Sequence, residues 1–159
     1  MAWRGNDKRK TSIPANKNIF NTSQDLCELN IEKSEIFHSV VAKLLYITKR
    51  AQPDIETIVS YLCTRVSKST DDDWKKLLRV LGFLQYTIDD IRIAGSDSLQ
   101  NMFTWVDSVY GVHDIDICSH TGGAISLGTG TIHDRSTKQK LNVKSSTEAE
   151  LVGTSDYMP

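Results

Sequence analysis

The sequence predicts an α+β fold in which a helical first part precedes a sheet-forming second part. From Glu35 to Leu84 the apolar residues recur at the spacing of an amphipathic helix. After Thr87 the spacing shortens to alternation, and the apolar runs are separated by glycine and polar clusters, which is typical of strands. The breaks within the first part are only a few residues long, so its helices should pack as antiparallel neighbours.

Three helices are expected in the first part. Glu35–Arg50 carries a continuous apolar stripe. Pro53 ends this helix, and Asp54 lies in the first turn of a second one. Asp71–Asp73 begins a third helix, because carboxylates at a helix N-terminus interact favourably with the helix dipole. A metal site is the alternative interpretation of this acidic triplet.

The second part should contain short strands and then a helix. Its strands are predicted at Met102–Asp107, Gly122–Ile132 and Lys138–Lys144, with a further short strand at Ile91–Ala94. The final helix is expected over Ser145–Tyr157. The segment before the first helix, residues 1–34, is polar and predicts a flexible lead-in. The predicted divisions are therefore 1–34, 35–100 and 101–159.

Composition excludes several classes of protein. The chain has 159 residues, 39% hydrophobic and 25% charged, as in ordinary globular domains. It shows neither a secretory signal nor an apolar run that could span a membrane, so we expect an intracellular protein, cytoplasmic or nuclear, without a membrane partner. Three widely spaced cysteines, Cys27, Cys63 and Cys118, argue against a disulfide framework and against a zinc site.

Charge is distributed unevenly along the chain. The net charge of −1 argues against a uniform nucleic-acid footprint. However, the first 20 residues carry five Lys and Arg against one acidic residue, while residues 101–159 carry four against seven. An anionic partner should therefore meet the N-terminal part.

Two carboxylates are the main candidates for chemistry. Asp107 ends an apolar strand, where a rigid backbone suits a metal ligand. Glu148 lies in S-S-T-E-A-E and could project from the first helical turn toward Asp107. From spacing alone the structural alternatives are favoured: a turn cap for Asp107 and a capping box with Ser145 for Glu148.

Other polar residues carry weaker signals. Asp114, Asp116 and Asp156 are expected to be surface residues. His120 is the best candidate for a proton shuttle, although a turn residue is the simpler interpretation. His113 and His133 show no metal-ligand spacing with it.

Several motifs, taken in order, resemble the Pol polyproteins of copia-type retrotransposons. Residues 37–55 resemble the segment that follows the polymerase core of this family; they read F-H-S-V-V-A-K-L-L-Y-I-T-K-R-A-Q-P-D-I. Residues 74–84 resemble the family's next helix and read W-K-K-L-L-R-V-L-G-F-L. Four further motifs are similar to the start of the family's ribonuclease H domain: W-V-D (105–107), S-H-T-G-G (119–123), K-Q-K (138–140) and S-S-T-E-A-E (145–150).

The resemblance implies a fold and a chemistry. It implies a helical thumb or connection segment over 35–100 and a truncated ribonuclease H-like mixed sheet with its first helix over 101–159. In the family, the acids at the positions of Asp107 and Glu148 bind metal and are catalytic. The implied chemistry is Mg²⁺-dependent hydrolysis of RNA in RNA–DNA hybrids. The implied partners are nucleic acid and the missing remainder of Pol.

Departures from the family pattern limit this implication. The chain has no room for the polymerase core, and it ends inside the first helix of the ribonuclease H domain, before a further catalytic acid. Val109 stands where the family has a second aspartate, and His120 replaces a threonine. We therefore expect no nuclease activity from this chain alone.

Two further hypotheses remain open. The chain could act as a non-catalytic nucleic-acid-binding or scaffold protein made from the Pol fragment, with its basic N-terminal segment contacting phosphates. Alternatively, it could be an independent helical domain whose similarity has no present function.

Overall fold

The computed structural model describes residues 11–22 and 27–158 of the chain. Within these ranges the fold is α+β, as the sequence predicts. The helices are α1 (Ile31–Arg50), α2 (Glu56–Arg65), α3 (Asp71–Tyr86) and α4 (Ser146–Tyr157), and the strands are β1 (Phe103–Val109), β2 (His120–Ser126) and β3 (Thr131–Lys138). A short 3₁₀ turn, Pro53–Ile55, precedes α2.

Side-chain caps determine where α1 and α3 begin. Asn30 Oδ1 accepts a hydrogen bond from Lys33 N at 2.9 Å, so α1 begins four residues before the predicted Glu35. Thr70 and Asp73 form a capping box at the start of α3, and Asp73 is buried beside Arg65. The acidic triplet thus lies at a helix N-terminus, as predicted.

The first three helices share one apolar core. Their buried apolar side chains form a single cluster. The buried members of this core are Phe37, Val41, Leu44, Ile55, Ile58, Val59, Tyr61, Leu62, Leu77, Val80 and Phe83.

The three strands form an antiparallel sheet in the order β1-β2-β3. The resemblance implies a mixed sheet, whereas every pairing within this sheet is antiparallel. A turn at Gly128 and Gly130, which have positive φ, divides the predicted strand Gly122–Ile132 into β2 and the start of β3. The third strand therefore lies at Thr131–Lys138, earlier than the predicted Lys138–Lys144. Ile91–Ala94 forms no strand.

Helices cover the two faces of the sheet. Residues that are paired across antiparallel strands point to the same face of the sheet. Ser108, Thr121 and Thr137 therefore share one face. Asp107, Gly122 and Ser136 share the other. Helix α4 lies on the first face, where Gly153 is so close to Ser108 and Thr121 that a larger residue would overlap them. We call this the α4 face.

The first three helices meet the opposite face at β3. Glu56 Oε1 accepts a hydrogen bond from Ser136 N at 3.1 Å, and Ser136 Oγ donates to Thr57 Oγ1 at 3.0 Å. Lys49 forms an ion pair with the same Glu56 carboxylate. We call this the helix face of the sheet. It is covered at β3 and open along β1.

The described part of the lead-in packs on the fold, which differs from the flexible segment that the sequence predicts. Ala15, Ile19 and Phe20 lie against the helical core. The Phe20 ring contacts Tyr61 edge-on, with 5.9 Å between ring centroids. Apolar anchors are few in this segment, and Ile13 is 53% exposed, but the other three reach the core. Local composition does not show this tertiary contact.

Candidate functional site

Asp107 lies on β1 with an exposed side chain. Its neighbour Ser108 points to the α4 face, where its hydroxyl lies 3.0 Å from Thr121 Oγ1. Because successive side chains of a strand alternate, Asp107 points to the helix face together with Phe103 and Trp105. It lies within the strand, two residues before the end, so it caps no turn.

Glu148 lies in the first turn of α4 and takes part in its N-terminal cap. Ser145 Oγ accepts a hydrogen bond from Glu148 N at 3.2 Å. The Glu148 carboxylate accepts from Lys144 N at 2.7 Å, one residue before the cap residue. The predicted capping interaction is therefore present, with its return bond displaced by one residue.

The two acids lie in different surroundings. Asp107 points away from the sheet face on which α4 packs, and one Glu148 oxygen is already bonded to the backbone. Across residues 11–22 and 27–158, no three His, Cys, Asp or Glu side chains are grouped so that they could hold a metal ion. Mg²⁺ requires octahedral oxygen coordination and keeps several waters, and we assign no metal-dependent step to two acids that have no third ligand beside them.

His120 is buried rather than exposed at a turn. Its Nδ1 lies 3.1 Å from Nε2 of His113, and its Nε2 lies 2.7 Å from Ser136 Oγ. Phe20 covers both rings at 4.8 and 4.9 Å between centroids. The pair joins the lead-in to the sheet and, through Ser136, to α2.

The histidine pair is held in the neutral state. Burial lowers the pKa of His120 to about 4, and the neighbouring His113 adds to this effect. Burial also lowers the pKa of His113, with a further contribution from Lys138. A buried neutral pair with bonded ring nitrogens is suited to packing, and it leaves His120 poorly placed to shuttle a proton to solvent.

A basic groove lies between the lead-in and α3. It has a volume of about 830 Å³ and is bordered by residues 11–21 on one side and by α3 on the other. Four cationic side chains and one carboxylate line it: Lys17, Lys75, Lys76, Arg79 and Asp72. The charge count along the chain predicted that an anionic partner meets the N-terminal segment, but it did not identify the three cations on α3. Their only signal in the sequence is their spacing on the polar side of an amphipathic helix.

The remaining predicted residues lie at the surface or in bonds that maintain the fold. Asp114 accepts a hydrogen bond from Thr22 N at 2.9 Å, and Asp116 pairs with Lys138. Asp156 is exposed on α4. Cys27, Cys63 and Cys118 are free thiols. In the described ranges, each helix is too short or too polar to cross a membrane.

Comparison with known proteins identifies relatives of this chain. A retrovirus-related Pol polyprotein from transposon RE2 of Arabidopsis thaliana is 32% identical over 114 residues, which cover 72% of this chain and 8% of the polyprotein. An uncharacterized mitochondrial protein of the same plant, AtMg00810, is also 32% identical over 114 residues, covering 72% of this chain and 47% of that protein. No protein-family model and no solved structure matches the chain.

The chain spans less than half the length of each of these two relatives. The similarity extends over most of the chain, as do the motifs quoted above. The chain is therefore a relative of retrotransposon Pol polyproteins, which confirms the resemblance to the copia-type family that its motifs indicate.

Proposed function

We propose that the chain is a segment of a copia-type Pol polyprotein that joins a thumb- or connection-like helical unit to the start of a ribonuclease H-like domain. The observation that carries this proposal is the 32% identity to a transposon Pol polyprotein over 114 residues. The order of elements, three helices followed by three strands and a helix, is compatible with it. In the whole polyprotein, these parts would act beside a polymerase core in RNA-dependent DNA synthesis and in hydrolysis of the RNA of hybrids.

Asp107 and Glu148 are proposed to occupy the positions of two metal-binding acids of that domain. No third acid, histidine or cysteine is grouped with them in the described residues, so no metal-dependent step is proposed for this chain. We therefore propose that this chain contacts nucleic acid without cleaving it.

A cleavage assay tests the catalytic part of this proposal. The chain is incubated with Mg²⁺ and an RNA–DNA hybrid labelled on its RNA strand, beside Asp107→Asn and Glu148→Gln variants. We expect intact RNA in all three samples. Mg²⁺-dependent cleavage that disappears in both variants would show that the two acids form a working site, and it would overturn the proposal.

A non-catalytic nucleic-acid-binding or scaffold protein is the second candidate. The basic groove favours it, because four cations gathered at one place in a chain of net charge −1 form a local anion-binding surface. Two results together would support this candidate over a segment of a polyprotein. The chain would have to be expressed without the rest of Pol, and it would have to bind the hybrid in a salt-dependent way without cleaving it. Absence of binding at low salt would contradict both candidates.

A further inference from the structure

We propose that the groove between the lead-in and α3 binds the phosphodiester backbone of a nucleic acid. This inference rests on the proposed function and assigns the surface that would carry it. The groove is formed by two elements that are distant in sequence, residues 11–21 and residues 72–79 of α3. Its two sides are linked where Thr11 Oγ1 donates to Arg79 O at 3.4 Å and Lys76 Nζ donates to Asn21 O at 2.7 Å.

The cations of the groove are not equally available to a ligand. Lys76 forms an ion pair with Asp72 at 3.0 Å and lies over the Tyr61 ring at 4.6 Å. Lys76 and Asp72 therefore neutralise each other, whereas Lys17, Lys75 and Arg79 form no ion pair with another described residue.

Arg79 also lacks a hydrogen-bond acceptor at one guanidinium nitrogen among the described residues. Its Nε is buried and has no hydrogen-bond partner among the described residues. A buried donor without a partner is unfavourable, and more so when the group is charged. Arg79 lines the groove, so an oxyanion bound there would lie beside this guanidinium, which favours the bound state.

The dimensions of the groove favour a chain of phosphates over a single one. Its volume, about 830 Å³, lies in the range of sites that hold whole organic ligands and far exceeds that of one inorganic phosphate. Lys75 and Arg79 are one helical turn apart on α3, about 6 Å along the axis, while Lys17 faces them from the lead-in. Cations spread in this way match repeated phosphates, and exposed Asn16 and Asn18 add uncharged hydrogen-bonding groups at the same rim.

Binding of a fluorescently labelled RNA–DNA hybrid, measured by anisotropy over a range of salt concentrations, tests the assignment. The groove variant combines Lys17→Gln, Lys75→Gln and Arg79→Gln. The control variant combines Lys33→Gln, Lys43→Gln and Lys144→Gln, which removes the same charge from exposed residues outside the groove. Circular dichroism checks that both variants are folded.

We expect the groove variant to bind about tenfold or more weakly, with a salt slope that is lower by roughly 2 to 3, because each phosphate contact contributes about 0.9 to that slope. The control variant should stay within about threefold of the unchanged chain, because distant surface charges are screened. If Arg79→Gln disturbs folding, Lys75→Gln alone still tests the groove, since Lys75 is exposed, and it should lower the slope by roughly 1.

Four results would overturn the assignment. Equal weakening of both triple variants would indicate a general charge effect. Unchanged binding of the groove variant would place the contacts elsewhere and leave the proposed function standing, whereas absence of binding by the unchanged chain would remove that function as well. Displacement of the hybrid by inorganic phosphate, at an ionic strength where chloride does not displace it, would assign the groove to a free phosphate compound.

Discussion

The helical part and the sheet part of this chain differ in the balance of apolar and polar side chains that they bury. The helical part has a large apolar core, which includes Phe37, Leu62 and Phe83, beside fewer buried polar residues such as Thr48 and Asp73. In the described part of the sheet region, buried positions are mainly polar: Ser108, His113, Ser119, His120, Thr121, Ser126 and Gln139. The apolar residues of β1 are instead on the surface, with Phe103 49%, Trp105 55% and Val109 50% exposed.

This difference shows where each part obtains its stability. The helices bury enough apolar surface among themselves to form a core. The sheet depends on hydrogen bonds between small polar side chains and on what packs against its faces. Gln139 illustrates this, since its Nε2 donates to Thr121 Oγ1 and to Ala149 O, both at 2.8 Å. Four predictions test the contrast, in decreasing order of expected effect.

The largest effect is expected in the helical core. Phe37→Ala should lower the free energy of unfolding by about 3–5 kcal/mol, because it leaves a cavity at a fully buried position. Urea unfolding followed by circular dichroism measures this. The control is Ile36→Ala, at a neighbouring position 51% exposed, which should change stability by about 0.5 kcal/mol or less. Equal losses in the two variants would contradict a closed core around Phe37.

Acidification should loosen the junction at the histidine pair. The pKa of His120 is lowered to about 4 in the fold, so the unfolded chain takes up a proton below about pH 6.5 while the folded chain does not. Stability is therefore retained at neutral pH and lost as the pH falls toward 4, by about 3 kcal/mol from this residue.

Urea unfolding at several pH values measures this dependence. His120→Gln should flatten the profile between about pH 6.5 and 4, where His113 contributes in the same direction. His38→Gln, which removes an exposed histidine of α1, should leave the profile as it is. A profile that is unchanged by His120→Gln would show that the pair does not govern the junction.

A smaller effect is expected where α4 meets β1. Gly153→Ala should cost about 1–3 kcal/mol, because the added methyl group would overlap the hydroxyl groups of Ser108 and Thr121. Adding Ser108→Ala should recover part of the loss, since it removes one of the overlapping atoms. Ser155→Ala, at an exposed position of the same helix, is the matched control in thermal unfolding and should be nearly neutral. A gain in stability for Gly153→Ala, as helix propensity alone predicts, would contradict this packing.

The smallest effect on stability is expected on the open side of β1. Trp105→Thr keeps a strand-forming residue and removes an exposed ring, so it should change the free energy of unfolding by about 0.5 kcal/mol or less. Self-association of the chain, measured by light scattering, should decrease because an exposed apolar edge strand favours pairing between chains. A loss above about 2 kcal/mol would indicate that Trp105 is packed, and the contrast between the two parts would fail.

Patterns in the sequence predicted the helices better than the strands. An amphipathic stripe of the length seen in α1 and α3 has few other interpretations, and Pro53 and Asp71–Asp73 mark the boundaries. The strands are short, and their polar buried residues provide no clear alternation. The segment from Gly122 to Ile132 therefore was predicted as one strand, although Gly128 and Gly130 turn the chain between β2 and β3.

The candidate site was predicted only in part. The cap at Glu148 follows from local spacing and is present. The histidine pair joins residues 113 and 120, and the groove joins residues 11–21 to α3, so both depend on contacts between segments that local patterns do not relate.

The sequence by itself determined the class of fold, the three-helix unit and the relationship to Pol polyproteins, because helix periodicity and ordered motifs are properties of neighbouring residues. Only the tertiary structure decided which sheet face carries Asp107, how the lead-in packs on the core, and where the cations of α3 meet Lys17. These features arise when elements distant along the chain are packed together, and their geometry depends on strand register and on close approaches such as that at Gly153.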